Sequence, residues 1–187
     1  LGYVDLNQNK RTDYVTPEVC RALLRKLGPL KLDVCTTARN PMQAEQIYTP
    51  AINGLAQSWV CGGLAYCNWP WSRTESPKWV DKAYREGEKI KLCTDMSELV
   101  LLGPSRSDTD WFRKLFTSSS AMYFWKGRMT FEDPETMEPI KTWSKKLQAY
   151  VEMPVPVPTQ LSYWGPRTDL FIKVFSEQGG VYVDLRK

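Results

Sequence analysis

The chain has 187 residues, enough for one α/β domain with a substantial core and short for two. Lys and Arg number 25 against 21 Asp and Glu, and the net charge of +4 permits nucleic-acid contact without requiring it. Histidine is absent, which excludes His-based serine hydrolases, HExxH metalloproteases and His-ligated zinc deaminases.

Along the chain, Thr16-Pro17-Glu18 reads as a helix start, with Thr16 as N-cap, Pro17 at the first helical position and an acid in the first turn. "VCRALLRKLG" then keeps its apolar residues on one face until Gly28. "LKLDV" (Leu30 to Val34) is a strand, and after a polar loop to about Trp59 "GLAYC" is a short apolar strand ending at Asn68. Ser76-Pro77 starts a second helix, "KWVDKAYREG", which Gly87 is expected to close. "SELVLLG" (Ser97 to Gly103) reads as a buried strand, with Asp108 expected to cap the helix "TDWFRKLF". "AMYFWKGRMTF" (Ala121 to Phe131) is a strand with a Gly turn, "TQLSYWG" a strand, "RTDLFIKVFSEQGG" a helix and "VYVDL" a last strand. Strands alternating with helices predict a mostly parallel sheet covered on both faces, with its ligand at the carboxyl ends of the strands.

The pattern lapses at about 132–158, a proline-rich stretch of mixed charge ending in "PVPVP". It is expected to be an irregular insertion within a single domain spanning 1–187, either a solvated linker or a functional loop. The five cysteines form no CxxC pair and read as reduced thiols. No run of about 18 apolar residues and no basic-then-apolar start are seen, so a cytoplasmic location is expected. Neither a P-loop nor a GxGxxG turn is present.

Chemistry concentrates in "LAYCNWPWSR" (Leu64 to Arg73). Asn68 stands at a strand's carboxyl end, and Pro70 stiffens the turn after it. Asn68-Trp69-Pro70-Trp71 resembles motif IV of amino-group DNA methyltransferases, usually Asn or Asp, Pro, Pro, then an aromatic residue. "TPEVCRALLRKLG", "LKLDVCTTARN", "IYTP", "NGLAQSW", this turn, "KWVDKAYREG", "LLGPSRSDTDWF" and "WKGRMTF" follow in the order of the phage-type, Dam-like DNA N6-adenine methyltransferases. The resemblance covers roughly Thr16 to Phe131, with a weaker echo in "QLSYWGPRTDLFIKVF".

That resemblance implies a Rossmann-like fold, S-adenosylmethionine as methyl donor, DNA as partner and transfer to the exocyclic amino group of a flipped adenine. The adenine nitrogen's lone pair is delocalised into the ring, so acceptors must hold its hydrogens and favour a tetrahedral geometry. Asn68 and the Trp69 carbonyl match those acceptors, and Trp71 matches the ring that stacks on the base. Trp69 departs from the usual Pro, keeping the carbonyl but losing the ring's rigidity. The resemblance aligns Thr16 and Pro17 with the methionine part of the donor and Asp33 with its amino acid end; Asn40 and Tyr48 lie in the loop between. Thr16 as a simple N-cap and Asp33 as an exposed strand-end acid are the plainer alternatives. Arg106, Lys126 and Arg128 fall in matching blocks as substrate contacts, the last two equally readable as a solvated basic turn. Lys145 and Lys146, near Trp143, suit a strand-contacting loop. A catalytically silent DNA-binding relative, or transfer to another amino group such as cytosine N4, remain open.

Overall fold

The apolar stripe Cys20, Leu23, Leu24 and Leu27 is the face buried by α1 (Glu18–Leu27) in a computed structural model that describes residues 14–186. Gly28 ends this helix at φ +128, its N–H returning to the Arg25 carbonyl. The chain continues through β1 (Leu30–Asp33), β2 (Gln46–Ile47), β3 (Leu64–Asn68), α2 (Ser76–Leu92), β4 (Glu98–Pro104) and α3 (Asp110–Ser118). It closes with β5 (Ala121–Phe124), β6 (Lys141–Ser144), β7 (Ala149–Glu152), β8 (Thr159–Trp164), α4 (Thr168–Ser176) and β9 (Val181–Asp184).

Alternation along β3 and β4 sends successive side chains to opposite faces, and each face has its own core. Leu64, Tyr66, Val100 and Leu102 join Leu24 and Leu27 of α1 and Phe171 and Phe175 of α4. Ala65, Cys67, Leu99 and Leu101 join Trp79 and Val80 of α2 and Phe112 and Leu115 of α3. Helices therefore cover both faces of the sheet, as the alternating pattern predicts. Among the described residues no helix is long and apolar enough to cross a membrane.

Seven strands form one sheet in the order β2-β1-β3-β4-β8-β5-β9. The pairs joining β2, β1, β3 and β4 are parallel. The three pairs on the other side, β4 with β8, β8 with β5 and β5 with β9, are antiparallel. The sheet is mixed, and the mostly parallel expectation describes only its first half. All six residues of β8 are buried, so its composition reads like that of a parallel strand and hides its direction.

Other expectations are corrected locally. α2 runs past Gly87 to Leu92, and the glycine inside it leaves room for the Trp164 indole: a Cβ there would lie 2.6 Å from the ring. Thr109, not Asp108, caps α3, its Oγ1 accepting from the Phe112 N–H at 3.3 Å. The strand expected from Ala121 to Phe131 stops at Phe124 and turns at Gly127, where φ is +79. The stretch at 132–158 is not irregular throughout. β6 and β7 form a two-stranded ribbon that pairs Lys141 with Glu152 and Trp143 with Tyr150. Its base is tied to the body by Ile140 N–H to the Phe131 carbonyl and Val155 N–H to the Met129 carbonyl.

Candidate active site

β1 is flanked by β2 on one side and β3 on the other, so the chain reverses its direction of travel across the sheet there. Ligands of open α/β sheets bind at such a switch point, outside the carboxyl ends of the strands. Here those ends are Asp33, Ile47 and Asn68. The loops after them enclose a cavity of about 290 Å³ that opens to solvent. Its wall brings together Thr16, Asp33, Tyr48, Asn68 and Pro70, five of the residues singled out in the sequence.

The floor is fixed by close backbone packing. Tyr48 N–H donates to the Asp33 carbonyl at 2.8 Å and Thr36 N–H to the Tyr48 carbonyl at 3.1 Å, joining the loops after β1 and β2. Gly54 presses against Val34, whose carbonyl oxygen would lie 2.1 Å from any Cβ at that position. Only glycine allows this approach. Trp59 then donates its Nε1–H to the Gly54 carbonyl at 2.8 Å and stacks on Trp79 at 6.1 Å, and Trp79 lines the cavity.

Asp33 is not an exposed strand-end acid. It is 2% exposed, and burial pushes its carboxyl up to about 7, against the Cys35 N–H and the Thr36 side chain, whose hydrogen bonds lower it. Among the described residues no cation pairs with it. A buried carboxylate of this kind, open to a cavity, is an acceptor for a cationic ligand. Thr37 adds a hydroxyl that lines the same cavity, buried without a hydrogen-bond partner among the described residues. Glu75 contributes a second carboxylate to the wall.

Thr16 is not the N-cap of α1; that position is Pro17, and no side chain of its own caps the helix. The Thr16 hydroxyl is buried and meets the Tyr66 hydroxyl at 2.7 Å. The orphan Glu18 N–H is instead satisfied by Glu132 Oε1 at 2.7 Å, from the base of the ribbon. Glu132 also exchanges backbone hydrogen bonds with Val15 at 2.9 Å and pairs with the buried Arg21, which in turn donates to the Thr16 carbonyl. One wall of the cavity is thus tied to residues more than a hundred positions away.

At the turn, Asn68 Nδ2 reaches the Tyr14 carbonyl at 3.5 Å, the outer limit of a hydrogen bond, which leaves Oδ1 as the amide's acceptor. Pro70 lines the cavity beside it. The two tryptophans turn elsewhere. Trp69 is 2% exposed and sinks into the core under α2 and α3. Trp71 is half-buried and meets Phe131 edge-on, with centroids 5.2 Å apart. Neither indole is part of the cavity lining.

The remaining sequence candidates are scattered. Pro17 lies in a separate cleft with Arg128, beside the start of α1. Asn40 stands at φ 49 and staples its own loop, exchanging side-chain hydrogen bonds with the Ala44 backbone at 2.8 and 2.9 Å. Arg106 follows β4 and grips Asp108 through two hydrogen bonds of 3.0 Å. Lys126 is exposed, its backbone bonded to the Gln178 side chain. Lys145 and Lys146 occupy the exposed tip of the β6–β7 ribbon. Thr37, Glu75, Trp79 and Glu132 were not singled out by sequence. Thr37 had a signal, since it follows the acid of "LKLDVCTT" at the strand's end; the other three become site residues only through tertiary packing. Among the described residues no group of His, Cys, Asp and Glu is placed to hold a metal ion.

The match of residues 4–163 to the family model "DNA N-6-adenine-methyltransferase (Dam)" spans most of the chain, and the chain belongs to that family. No curated protein matches it.

Proposed function

We propose that the protein transfers a methyl group from S-adenosylmethionine to the exocyclic amino group of an adenine turned out of DNA, on a Rossmann-like scaffold. One observation carries this reading: Asp33, Thr37 and Asn68 converge on one cavity at the sheet's switch point, in a chain of the adenine-methyltransferase family. S-adenosylmethionine, when bound, supplies a methyl group activated by a sulfonium cation. The lining suits it. Among the described residues Asp33 offers a buried carboxylate without a cationic partner and Thr37 an unpaired hydroxyl, and Trp79 and Leu55 offer apolar surface. At about 290 Å³ the cavity lies near the lower end of small-molecule sites, roughly 300–1,000 Å³.

In this reading Asp33 and Thr37 hold the donor, with Thr16 and Tyr48 beside them. Asn68 Oδ1 accepts one hydrogen of the adenine amino group and the Trp69 carbonyl accepts the other, drawing the nitrogen towards tetrahedral geometry as it attacks. A group aimed at charge or geometry that develops only in the transition state raises turnover more than binding. Asn40 belongs to the loop that shapes the donor cavity rather than to the donor's contacts. Pro17 and Arg128 sit in the neighbouring cleft, and Arg106 and Lys126 are read as contacts to DNA phosphates. Lys145, Lys146 and Trp143 on the ribbon would engage the DNA backbone and bases.

The test is incubation with a methyl-labelled donor and DNA of mixed sequence, followed by digestion to nucleosides. Label on N6 of adenine is the expected result. Label on N4 of cytosine would move the assignment to another amino group, and DNA binding without any labelled nucleoside would contradict transfer altogether.

A further inference from the structure

The family motif has proline where this chain has Trp69, and the structure shows what the indole does there. Trp69 is 2% exposed although it sits between two cavity-lining residues, Asn68 and Pro70. Its Nε1–H donates to Ser76 Oγ at 3.1 Å, at the first residue of α2, and that hydroxyl is itself buried. Its ring packs edge-on against Trp111 of α3, with centroids 6.4 Å apart. The far edge of the ring covers Gly103 of β4 so closely that a Cβ there would lie 1.9 Å from Cη2. Three elements therefore hold one side chain, and the backbone of that side chain is the turn.

We infer that Trp69 is a positioning residue: its indole locks the Asn68–Trp71 turn to α2, α3 and β4, supplying by tertiary contact the stiffness that proline supplies covalently in the usual motif. The inference rests on the methyl-transfer reading of the same turn. Proline fixes φ within its own residue. Trp69 has no such restraint, and its carbonyl holds its direction only while the ring stays seated. Gly103 and Ser76 are the two halves of the seat, so they belong to the motif although neither touches the cavity. A bare proline at position 69 would leave the seat empty and the Ser76 hydroxyl without its donor.

Two substitutions remove the same hydrogen bond from opposite ends: Trp69→Phe keeps a ring in the seat, and Ser76→Ala keeps the indole. Each is expected to lower kcat on the order of tenfold, the worth of one buried hydrogen bond, with the donor's Kd unchanged. The double variant should be no worse than either single one, because both act on one contact. Ser76→Thr, which keeps the hydroxyl, should restore turnover. Alongside, the Asn68 side-chain amide resonances in ¹H–¹⁵N spectra, identified by their loss in Asn68→Ala, should shift in both single variants. That readout needs no turnover: if the unaltered protein transfers no methyl group, the methyl-transfer reading fails while the amide shifts still decide the positioning role. Unmoved Asn68 resonances in folded Trp69→Phe and Ser76→Ala would overturn the inference. So would full kcat in either variant of an active enzyme, or a strictly additive double variant.

Discussion

The crevice between β1 and β3 and the β6–β7 ribbon hold different groups on opposite terms, the first buried and the second exposed. In the crevice a carboxylate and two hydroxyls are held by burial, tight glycine contacts and a Trp59–Trp79 stack. On the ribbon, Trp143 is 48% exposed and Tyr150 71%, their rings meeting edge-on, with Lys145 and Lys146 at the tip. A two-stranded ribbon has little stability of its own, so this one depends on the body to which its base is stitched. In the proposed reading the crevice takes a small ligand whose charge is matched in low dielectric. The ribbon leaves cations and rings in water, and in the proposed reading it is these that meet the DNA.

Substitutions should separate the two. Asn68→Ala removes the acceptor at the crevice's edge, and turnover is expected to fall on the order of 10²–10³, with donor and DNA binding retained. Equal losses in binding and turnover would place Asn68 outside the reacting centre. Trp143→Ala should cost roughly 1–3 kcal/mol of DNA affinity, the range of one base-stacking contact. It should leave donor affinity alone, as titration of each ligand would read.

Asp33 gives the crevice a pH signature. Its carboxyl is raised by burial to about 7, so what it contributes to folding is fully present below about pH 4 and is lost as pH rises through 7, where the buried charge must be borne. A cationic donor group opposes that cost, so donor affinity should climb with pH, by up to about tenfold per unit, until it levels above pH 7. Calorimetric titration between pH 5.5 and 8 reads the slope, and Asp33→Asn should flatten it. A flat profile in the unaltered protein would remove Asp33 from the cationic end of the donor. The smallest effect expected is on salt dependence: replacing Lys145 and Lys146 by Ala should reduce the slope of log affinity against log salt by about 0.9 for each phosphate that the ribbon no longer neutralises. Melting temperature should hardly move, as both side chains are exposed.

What the sequence made legible follows from where the information lies. α1, β1, β3 and β4 carry their apolar pattern within themselves, and each stands within a residue or two of where that pattern put it; α4 starts as expected but stops at Ser176, four residues before Gly180. That Asp33 and Asn68 end strands and that Pro70 lies in the turn after one was legible, because these are local features. The direction of β8 was not, since a strand buried on both faces looks the same either way. Gly87 looked like a helix stop because the Trp164 ring that occupies its missing side chain is distant in sequence. Thr16 looked like an N-cap because nothing nearby announces that Glu132 does that work from the ribbon's base. β2 is too short, and the ribbon too exposed, to show a period. Trp69 was readable as a departure from a motif, but its seat on Gly103 and Ser76 needed the fold.

The division of labour between crevice and ribbon is tested most directly by hydrogen exchange measured with each ligand in turn. S-adenosylmethionine alone should slow exchange in Asp33 to Thr37 and in Tyr48 to Leu55 while leaving Lys141 to Glu152 unchanged. An adenine-containing duplex alone should slow exchange in Lys141 to Glu152. Protection of the ribbon by the donor without any change in the crevice, or of neither region by either ligand, would contradict the assignment of both.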